Sequence, residues 1–250
     1  DFNLLISLDC GIKATEKVDL ANSYGIDVIV CDHHLAGEEL PNAVAILDPK
    51  RPDCPYPYKE LSGCGVGFKL IQGYCKKFEL PDELWLSKMD LVAISIASDI
   101  VAITGENRIL AYNGLIIINR FPRVGVKSII EQSGIKIHYP LKEETIFSRV
   151  ISISDIVFYI GPRINAAGRM KTGRESVRLL ICEDEDKSFD IGKNINEQNE
   201  ERRDLDQKAT QEAMAIVENS CEFQNRKSIV LYNPNWTKGI IGIVASRLVE

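Results

Sequence analysis

Short apolar runs alternate with a helical pattern in the first half of the chain. Leu4–Leu8, Ile26–Cys31 and Ala43–Leu47 are rich in aliphatic residues and have the length of buried strands. Residues 13–24 carry apolar positions at helical spacing, and Gly25 follows as a stop signal. This alternation is typical of an α/β fold, so we predict a parallel sheet that is covered by helices on both faces.

The rest of the chain has a different pattern. The proline-rich residues 49–58 predict a loop, and Leu84–Ile103 is apolar nearly all round, which predicts one buried helix. The polar stretch from Ser188 to Ser220 predicts a long, largely exposed helix of the kind that links two domains, and Ser228–Tyr232 predicts a new strand. We therefore predict a first domain over residues 1–187, a linking helix over 188–222 and the beginning of a second α/β domain over 223–250.

Composition narrows the class of protein. Hydrophobic residues make up 45% and charged residues 26% of the 250 positions, as in ordinary soluble proteins. The apolar runs are too short to span a bilayer. The seven cysteines show no CxxC spacing, which predicts reduced thiols. We therefore expect a cytoplasmic protein without membrane association.

Charge is distributed unevenly along the chain. The formal net charge of −6 argues weakly against a protein that binds nucleic acid through bulk charge. Residues 161–178, the basic island, nevertheless contain five basic residues and one acid, whereas residues 183–206 contain ten acids and four bases. This contrast predicts a dedicated anion site at a glycine-bracketed turn, Gly161–Arg169. The alternative is a solvated loop whose arginines pair with the acids that follow.

Acids follow the predicted strands where each strand ends. Asp9 and Asp48 follow the first and third runs, and Asp32 follows the second, directly before His33 and His34. The carboxyl ends of parallel strands form the ligand crevice of an open sheet. Two oxygen ligands and an imidazole suit a divalent ion of the manganese type better than a zinc thiolate site. Taken singly, each of these residues is also compatible with a turn or a helix cap.

Asp99 lies in an apolar stretch, residues 91–103, that we expect to be helical and buried. An unpaired carboxylate there would cost on the order of several kcal/mol, so we predict that it is paired, protonated or bound to a metal. The alternative is a helix-terminal acid that caps its neighbour at Thr104-Gly105.

Five segments together resemble a known family. Leu8–Gly11, Cys31–His34 and Ala97–Asp99 match successive motifs of the DHH phosphoesterase superfamily. Gly161–Arg169 and Trp236–Arg247 are similar to motifs of its RecJ exonucleases. The segments occur in the family's order and span essentially the whole chain.

The resemblance implies a catalytic centre with two manganese or magnesium ions. By it, Asp9 bridges the two ions, while His33 and Asp99 bind one of them. Asp32 orients the histidines by hydrogen bonding, and His34 faces the scissile phosphate. The implied reaction is two-metal phosphodiester hydrolysis, in which the ions activate water and offset charge on the phosphorus.

The resemblance also implies the substrate and its contacts. The substrate is single-stranded DNA, degraded from 5′ to 3′ in repair and recombination, with a single-strand-binding protein and a helicase as possible partners. The implied DNA-contacting residues are Arg163, Asn165, Arg169, Gly239, Gly242, Ser246 and Arg247. For the small residues of the Gly239 segment, close packing of helices is an equal alternative.

One glycine-rich segment has a different interpretation. Gly63–Gly67 (GCGVG) resembles a phosphate loop, but no strand leads directly into it and no GK[ST] sequence follows. We therefore predict that these glycines serve helix packing. Trp236 and Tyr232 could stack on bases, although buried aromatic residues are the commoner case.

The chain also departs from the family pattern. The family's first motif, an acid-rich strand end with further metal ligands, is expected before Asp9, and we expect this chain to lack it and part of the C-terminal domain. By itself the chain is then expected to be weakly active or inactive. Thr237 stands where the family usually has histidine. Two alternatives stay open: a phosphodiesterase for short oligonucleotides or cyclic dinucleotides, and an inactive DHH scaffold.

Overall fold

The computed structural model describes residues 2–140, 143–170, 172–220, 223 and 226–249, without the side chain of Arg169. The chain forms two compact units, residues 1–122 with 136–161, and residues 123–135 with 162–250. The first unit contains the described strands, and the second contains the long helix. None of the described helices is both long enough and apolar enough to cross a membrane.

The sheet of the first unit has three parallel strands in the order β1-β2-β3. The strands are β1 (Leu4–Leu8), β2 (Asp27–Cys31) and β3 (Ala45–Leu47). Helix α1 (Thr15–Ser23) connects the first two, which confirms the predicted strand–helix–strand order. Leu8 is in register with Cys31, and Cys31 with Leu47, so all three strands end at the same edge.

The strands of the sheet are buried to different extents. The central strand β2 has Val28, Val30 and Cys31 fully buried, as predicted for a covered parallel sheet. Strand β1 pairs with β2 alone in the described chain, and its apolar side chains remain about half exposed. Within the described chain, the prediction of cover on both faces therefore holds for β2 and is wrong for β1, where successive side chains such as Leu5 and Ile6, which point to opposite faces, are both exposed.

Helices build the rest of the first unit. They are α2 (Gly63–Lys77), α3 (Glu83–Leu86), α4 (Met89–Ser98), α5 (Gly105–Arg120) and α7 (Ile153–Asp155), followed by a π-helical turn (Ile156–Ile160). A core joins the strands to the first four of these helices. Phe68 of α2 meets Trp85 of α3 edge to face, with ring centroids 5.7 Å apart. Val92 and Ile96 of α4 complete this core.

The single helix predicted over Leu84–Ile103 is wrong at both ends. The chain forms α3 and then α4, which ends at Ser98 with Asp99 as its C-terminal cap residue. Ile100 has a φ of 54°, in the left-handed region, and this conformation stops the helix. Asp99 is consequently exposed at a helix end, and the burial on which its prediction was based is absent.

The second unit is helical in its described part. Its helices are α6 (Val124–Gln132), α8 (Gly161–Met170), α9 (Arg174–Leu180), α10 (Glu185–Glu218) and α11 (Lys238–Arg247). The 34-residue helix α10 packs against α6, α9 and α11 and confirms the long helix predicted over 188–220. Ala209 and Ala213 of α10 form a small core with Ile240 and Val244 of α11.

Two predictions for the second unit are wrong. Gly161–Arg169 is not a turn but lies in helix α8. Residues 228–232 form no strand, and Val230 and Tyr232 are largely exposed. An extended segment becomes a strand only when a neighbour accepts and donates its backbone hydrogen bonds, and the described residues provide no such neighbour.

A close contact between α4 and α5 yields a first testable prediction. A Cβ atom on Gly114 would lie 2.3 Å from the Met89 carbonyl oxygen and 2.6 Å from the Ala93 Cβ atom. We expect Gly114→Ala to lower the free energy of unfolding by about 1–3 kcal/mol, because overpacking outweighs alanine's helix propensity. Urea unfolding monitored by circular dichroism measures the change.

Gly73→Ala is the matched control, since nothing lies within 4 Å of its added Cβ atom on α2. This variant should gain up to about 1 kcal/mol from helix propensity. A Gly114→Ala protein as stable as the Gly73→Ala protein would contradict the close contact.

Candidate metal centre

The end of β1 carries Asp9 in an unusual backbone conformation. The Asp9 N–H donates to the Cys31 carbonyl oxygen at 2.9 Å, which continues the pairing of β1 with β2 by one residue. Asp9 then adopts a φ of 65°, in the left-handed region that Asp and Asn tolerate best among residues with a side chain. The chain turns away from the sheet here, and the carboxylate is left at the sheet edge.

The end of β2 carries Asp32 as the centre of a hydrogen-bond network. Its buried carboxylate accepts from the Ile12 N–H at 2.9 Å and from the His33 N–H at 2.8 Å. It also accepts from the His34 N–H at 3.2 Å and lies 2.7 Å from the His34 Nδ1 atom. Burial opposes ionisation, but these donors together hold the pKa of the Asp32 carboxyl below its ordinary value.

This network determines which ring nitrogen of His34 donates. A carboxylate offers no proton, so the Nδ1 atom of His34 donates, and in the neutral ring its Nε2 atom is the acceptor. The His34 side chain is 59% exposed. His34 therefore presents an acceptor or ligand atom towards open space, with its orientation set by Asp32.

The ring of His33 is buried and oriented by a backbone carbonyl. Its Nδ1 atom lies 3.1 Å from the carbonyl oxygen of Leu61, in the loop before α2. A carbonyl only accepts, so Nδ1 carries a proton, and in the neutral ring Nε2 then has the lone pair. No sequence signal indicated the Leu61 contact, because any residue type supplies a carbonyl oxygen.

The Nε2 atom of His33 faces two carboxylates. It lies 3.1 Å from Asp9 Oδ1 and 3.3 Å from Asp99 Oδ2, yet it makes no hydrogen bond to any described residue. If Nε2 has a lone pair, it repels the two carboxylate oxygens at these distances, so the group requires either a proton on Nε2 or a metal cation between the three atoms. In the described parts of the chain, neither Asp9 nor Asp99 forms an ion pair with lysine or arginine.

The charges around the imidazole fit a divalent cation. Ligand atoms of Asp9, His33 and His34 all lie within 4.8 Å of one another. Burial raises the pKa of the Asp9 carboxyl, and the nearby Asp99 charge raises it further, against the opposing influence of His33. Oxygen donors with imidazole nitrogen are a donor set that manganese accepts. The residues present therefore fit a metal ion.

The third strand end brings another acid close to the same edge. Asp48 is buried, its Oδ1 atom accepts from the Lys50 N–H at 2.9 Å, and its Oδ2 atom has no described hydrogen-bond partner. Burial raises the pKa of the Asp48 carboxyl, and the charge of Asp32 adds to this effect. All three strand-end acids named from the sequence thus occupy one edge of the sheet.

The predicted nucleic-acid residues lie in the second unit. Arg163 in α8 is partly buried, and its Nε atom donates to Asn196 Oδ1 at 2.9 Å. Burial lowers the pKa of Arg163, and the neighbouring charge of Arg203 acts in the same direction. Asn165 is exposed, whereas the side chain of Arg169 and the whole of Lys171 lie outside the described residues.

The residues predicted on α11 differ in their surroundings. Arg247 forms an ion pair with the buried Asp206 of α10 at 2.8 Å. Ser246 is exposed, and nothing lies within 4 Å of a Cβ atom built on Gly242. Gly239, at the second position of α11, is partly buried. Among the described residues, no helix packs closely against Gly242.

Comparison with known proteins gives consistent results. The family model "DHH family, N-terminal domain" matches residues 3–96. The single-stranded-DNA-specific exonuclease RecJ of Bacillus subtilis is 39% identical over 249 residues, covering 100% of this chain and 29% of that protein. The Escherichia coli protein of the same name is 32% identical, covering 99% of this chain and 43% of that protein.

Solved structures agree with this result. A crystal structure of exonuclease RecJ bound to manganese superposes with a TM-score of 0.83 at 28% identity, covering 99% of this chain and 58% of that one. A RecJ structure from Thermus thermophilus in complex with Mn²⁺ gives 0.82 at 28% identity, covering 99% of this chain and 34% of that one. The chain thus spans less than half the length of the curated relatives named above. Family model, whole-chain similarity and fold agree, and the chain belongs to the DHH family, in its RecJ group.

Proposed function

We propose that this chain supplies the catalytic centre of a metal-dependent exonuclease that hydrolyses single-stranded DNA from the 5′ end. The observation that carries the proposal is the buried Nε2 atom of His33, which faces the carboxylates of Asp9 and Asp99. RecJ proteins from several bacteria are named for single-stranded-DNA-specific exonuclease activity.

The proposed metal ligands are Asp9, His33 and Asp99, with Asp9 as the bridge between two ions. Related RecJ structures contain Mn²⁺ or Mg²⁺, which supports either ion here. Bound divalent ions would offset charge on the scissile phosphate and make water a stronger nucleophile. His34 is proposed to face that phosphate, and Asp32 to hold both histidines in position through the contacts described above.

The DNA strand is proposed to contact α8 and α11, through the residues that the RecJ resemblance implies. Two contacts within the second unit affect the charge and the conformational freedom of these arginines. Arg163 donates to the neutral side chain of Asn196, whereas Arg247 forms an ion pair with Asp206, so only the charge of Arg247 is offset by this contact. These contacts also hold the two guanidinium groups in place, which lowers the conformational entropy that a phosphate contact would cost.

We also propose a cytoplasmic location, a single-strand-binding protein and a helicase as partners, and domain boundaries at residues 187 and 222. The presence of Asp9 and Asp99 beside His33 speaks against an inactive DHH scaffold.

The first prediction from the proposed function tests the bridging ligand. In the full-length protein, Asp9→Asn should reduce manganese-dependent degradation of 5′-labelled single-stranded DNA by more than about 100-fold. This loss exceeds the cost of about 10–100-fold typical of groups that merely hydrogen-bond to ligands. Asparagine keeps the size of the side chain and tolerates the left-handed backbone, so the fold should be preserved.

Asp53→Asn is the matched control, because Asp53 is exposed and pairs with Arg51. Near-parental turnover of Asp9→Asn at saturating manganese would contradict the ligand assignment. Equal rates on linear DNA and on cyclic dinucleotides would favour the phosphodiesterase alternative.

The second prediction concerns Asp32. Asp32→Asn places an amide N–H₂ group against backbone and imidazole donors, so we expect about 1–3 kcal/mol less stability at pH 7. The pKa of Asp32 is depressed in the folded protein, so its contribution is present above the ordinary value of 3.8 and is lost as the pH falls through the folded-state pKa.

Urea unfolding at several pH values measures this difference. The gap between Asp32→Asn and the parent protein should narrow below pH 3.8. Asp53→Asn serves again as the control and should change stability little. A gap that stays constant down to about pH 2 would show that the charge of Asp32 does not matter to the fold.

The third prediction separates DNA binding from chemistry. Arg163→Ala should weaken single-stranded DNA binding and reduce the slope of log affinity against log salt by about 0.7 for each lost phosphate contact. The loss should be similar for different sequences, and manganese affinity should not change. Fluorescence anisotropy over a salt titration provides the measurement.

Asn196→Ala is the matched variant here, because it removes the contact to Arg163 Nε and keeps the guanidinium charge. If Arg163 contacts phosphate, this variant should keep the parental salt slope. Loss of affinity without a change of slope in Arg163→Ala, reproduced by Asn196→Ala, would make Arg163 a structural residue.

A further inference from the structure

The glycine-rich segment Gly63–Gly67 lies at the start of α2, beside the proposed metal ligands. Ser62 caps the helix, with its Oγ atom accepting from the Gly65 N–H at 3.2 Å. Gly63, Gly65 and Gly67 are buried, and a Cβ atom on Gly67 would lie 3.0 Å from Leu8 Cδ2. Close packing of α2 on β1 explains Gly67, as the sequence predicted, but it does not explain Gly63.

The three atoms nearest to a Cβ atom built on Gly63 all belong to one side chain, that of Asp9. A Cβ atom on Gly63 would lie 2.0 Å from Asp9 Oδ1, 2.5 Å from Asp9 Cγ and 2.6 Å from Asp9 Cβ. Cβ atoms essentially never approach other atoms closer than 3.0 Å. Any residue other than glycine would therefore displace the Asp9 side chain or the first turn of α2.

We propose that Gly63 is a positioning residue for the metal centre: its missing side chain is the space in which the Asp9 carboxylate lies against α2 and faces His33 Nε2. The proposal rests on the metal role proposed for Asp9. The helix N-terminus adds to the effect, since its partial positive charge favours a carboxylate at this place.

Neither side of this contact can move without disturbing the site. Asp9 is held by its hydrogen bond to Cys31 and by its left-handed backbone. The first turn of α2 directly follows Leu61, whose carbonyl oxygen orients the His33 ring. A shift of Asp9 would move the carboxylate away from Nε2, and a shift of α2 would move the carbonyl that fixes the imidazole.

Glycine-to-alanine changes along one helix give a matched series in the full-length protein. Gly63→Ala should weaken Mn²⁺ binding by about tenfold or more, the range seen when groups that orient metal ligands are lost. Gly67→Ala should lower stability through Leu8 and leave Mn²⁺ affinity within about twofold, and Gly73→Ala should change neither, apart from a small gain in helix stability. Electron paramagnetic resonance of free Mn²⁺ measures binding independently of DNA hydrolysis.

A double-mutant cycle on the metal-free protein tests the contact itself. Asp9→Gly removes the three atoms nearest to the Cβ atom added by Gly63→Ala, and glycine suits the left-handed backbone. Gly63→Ala should thus lower the midpoint of thermal unfolding in the parent and have no such effect in the Asp9→Gly protein. This readout stays valid even if Gly63→Ala alone does not fold.

Three results would overturn the proposal. They are parental Mn²⁺ affinity in a folded Gly63→Ala protein, an equal loss of affinity in Gly67→Ala, and the same destabilisation by Gly63→Ala with and without the Asp9 side chain. If the parent protein binds no Mn²⁺ at all, the proposed function fails, while the metal-free cycle still reports on the contact between Gly63 and Asp9.

Discussion

The arrangement of the first unit depends on one buried imidazole. The Leu61 carbonyl accepts from Nδ1 of His33, so Nε2 faces the carboxylates of Asp9 and Asp99 at 3.1 and 3.3 Å. These two partly exposed carboxylates beside a buried nitrogen require a positive charge between them, either a proton on the imidazole or a metal cation. The strand end at Asp9, the helix end at Asp99 and the loop before α2 all converge on this ring, and the metal-dependent chemistry proposed here follows from that convergence.

Local strain is concentrated at the same place. Asp9 and Ile100, the latter directly after Asp99, are two of the three non-glycine residues with positive φ among the described residues. A left-handed conformation is costly for a β-branched residue such as isoleucine. Both conformations turn the chain sharply next to a proposed ligand, so each carboxylate sits at the end of a rigid element. Strain at functional sites persists when the surrounding structure over-determines it, and here the sheet and α4 do so.

In the second unit, polar and charged side chains of different helices contact one another. Helix α10 is rich in acidic residues. The hydrogen bond from Arg163 to Asn196 connects it to α8, and the ion pair of Arg247 with Asp206 connects it to α11. Asp206 is fully buried, so its pairing with Arg247 also contributes to the packing of α10 against α11. The interpretation of the island as a solvated loop is wrong, because its motif is helical. Its proposed contacts with DNA remain compatible with the net acidic chain, since local charge governs anion binding.

Sequence alone determined the α/β class, the three strand ends with Asp9, Asp32 and Asp48, the long helix α10 and the family. Each of these features follows from local signals, namely apolar periodicity, residue type at strand ends and short motifs. Tertiary structure decided the rest. It broke the helix predicted over Leu84–Ile103, because a left-handed residue ends α4 at Asp99, and it left residues 228–232 without a strand partner among the described residues. It also supplied the Leu61 carbonyl and the space at Gly63, since a backbone oxygen and a missing side chain acquire meaning only from the atoms that folding brings next to them.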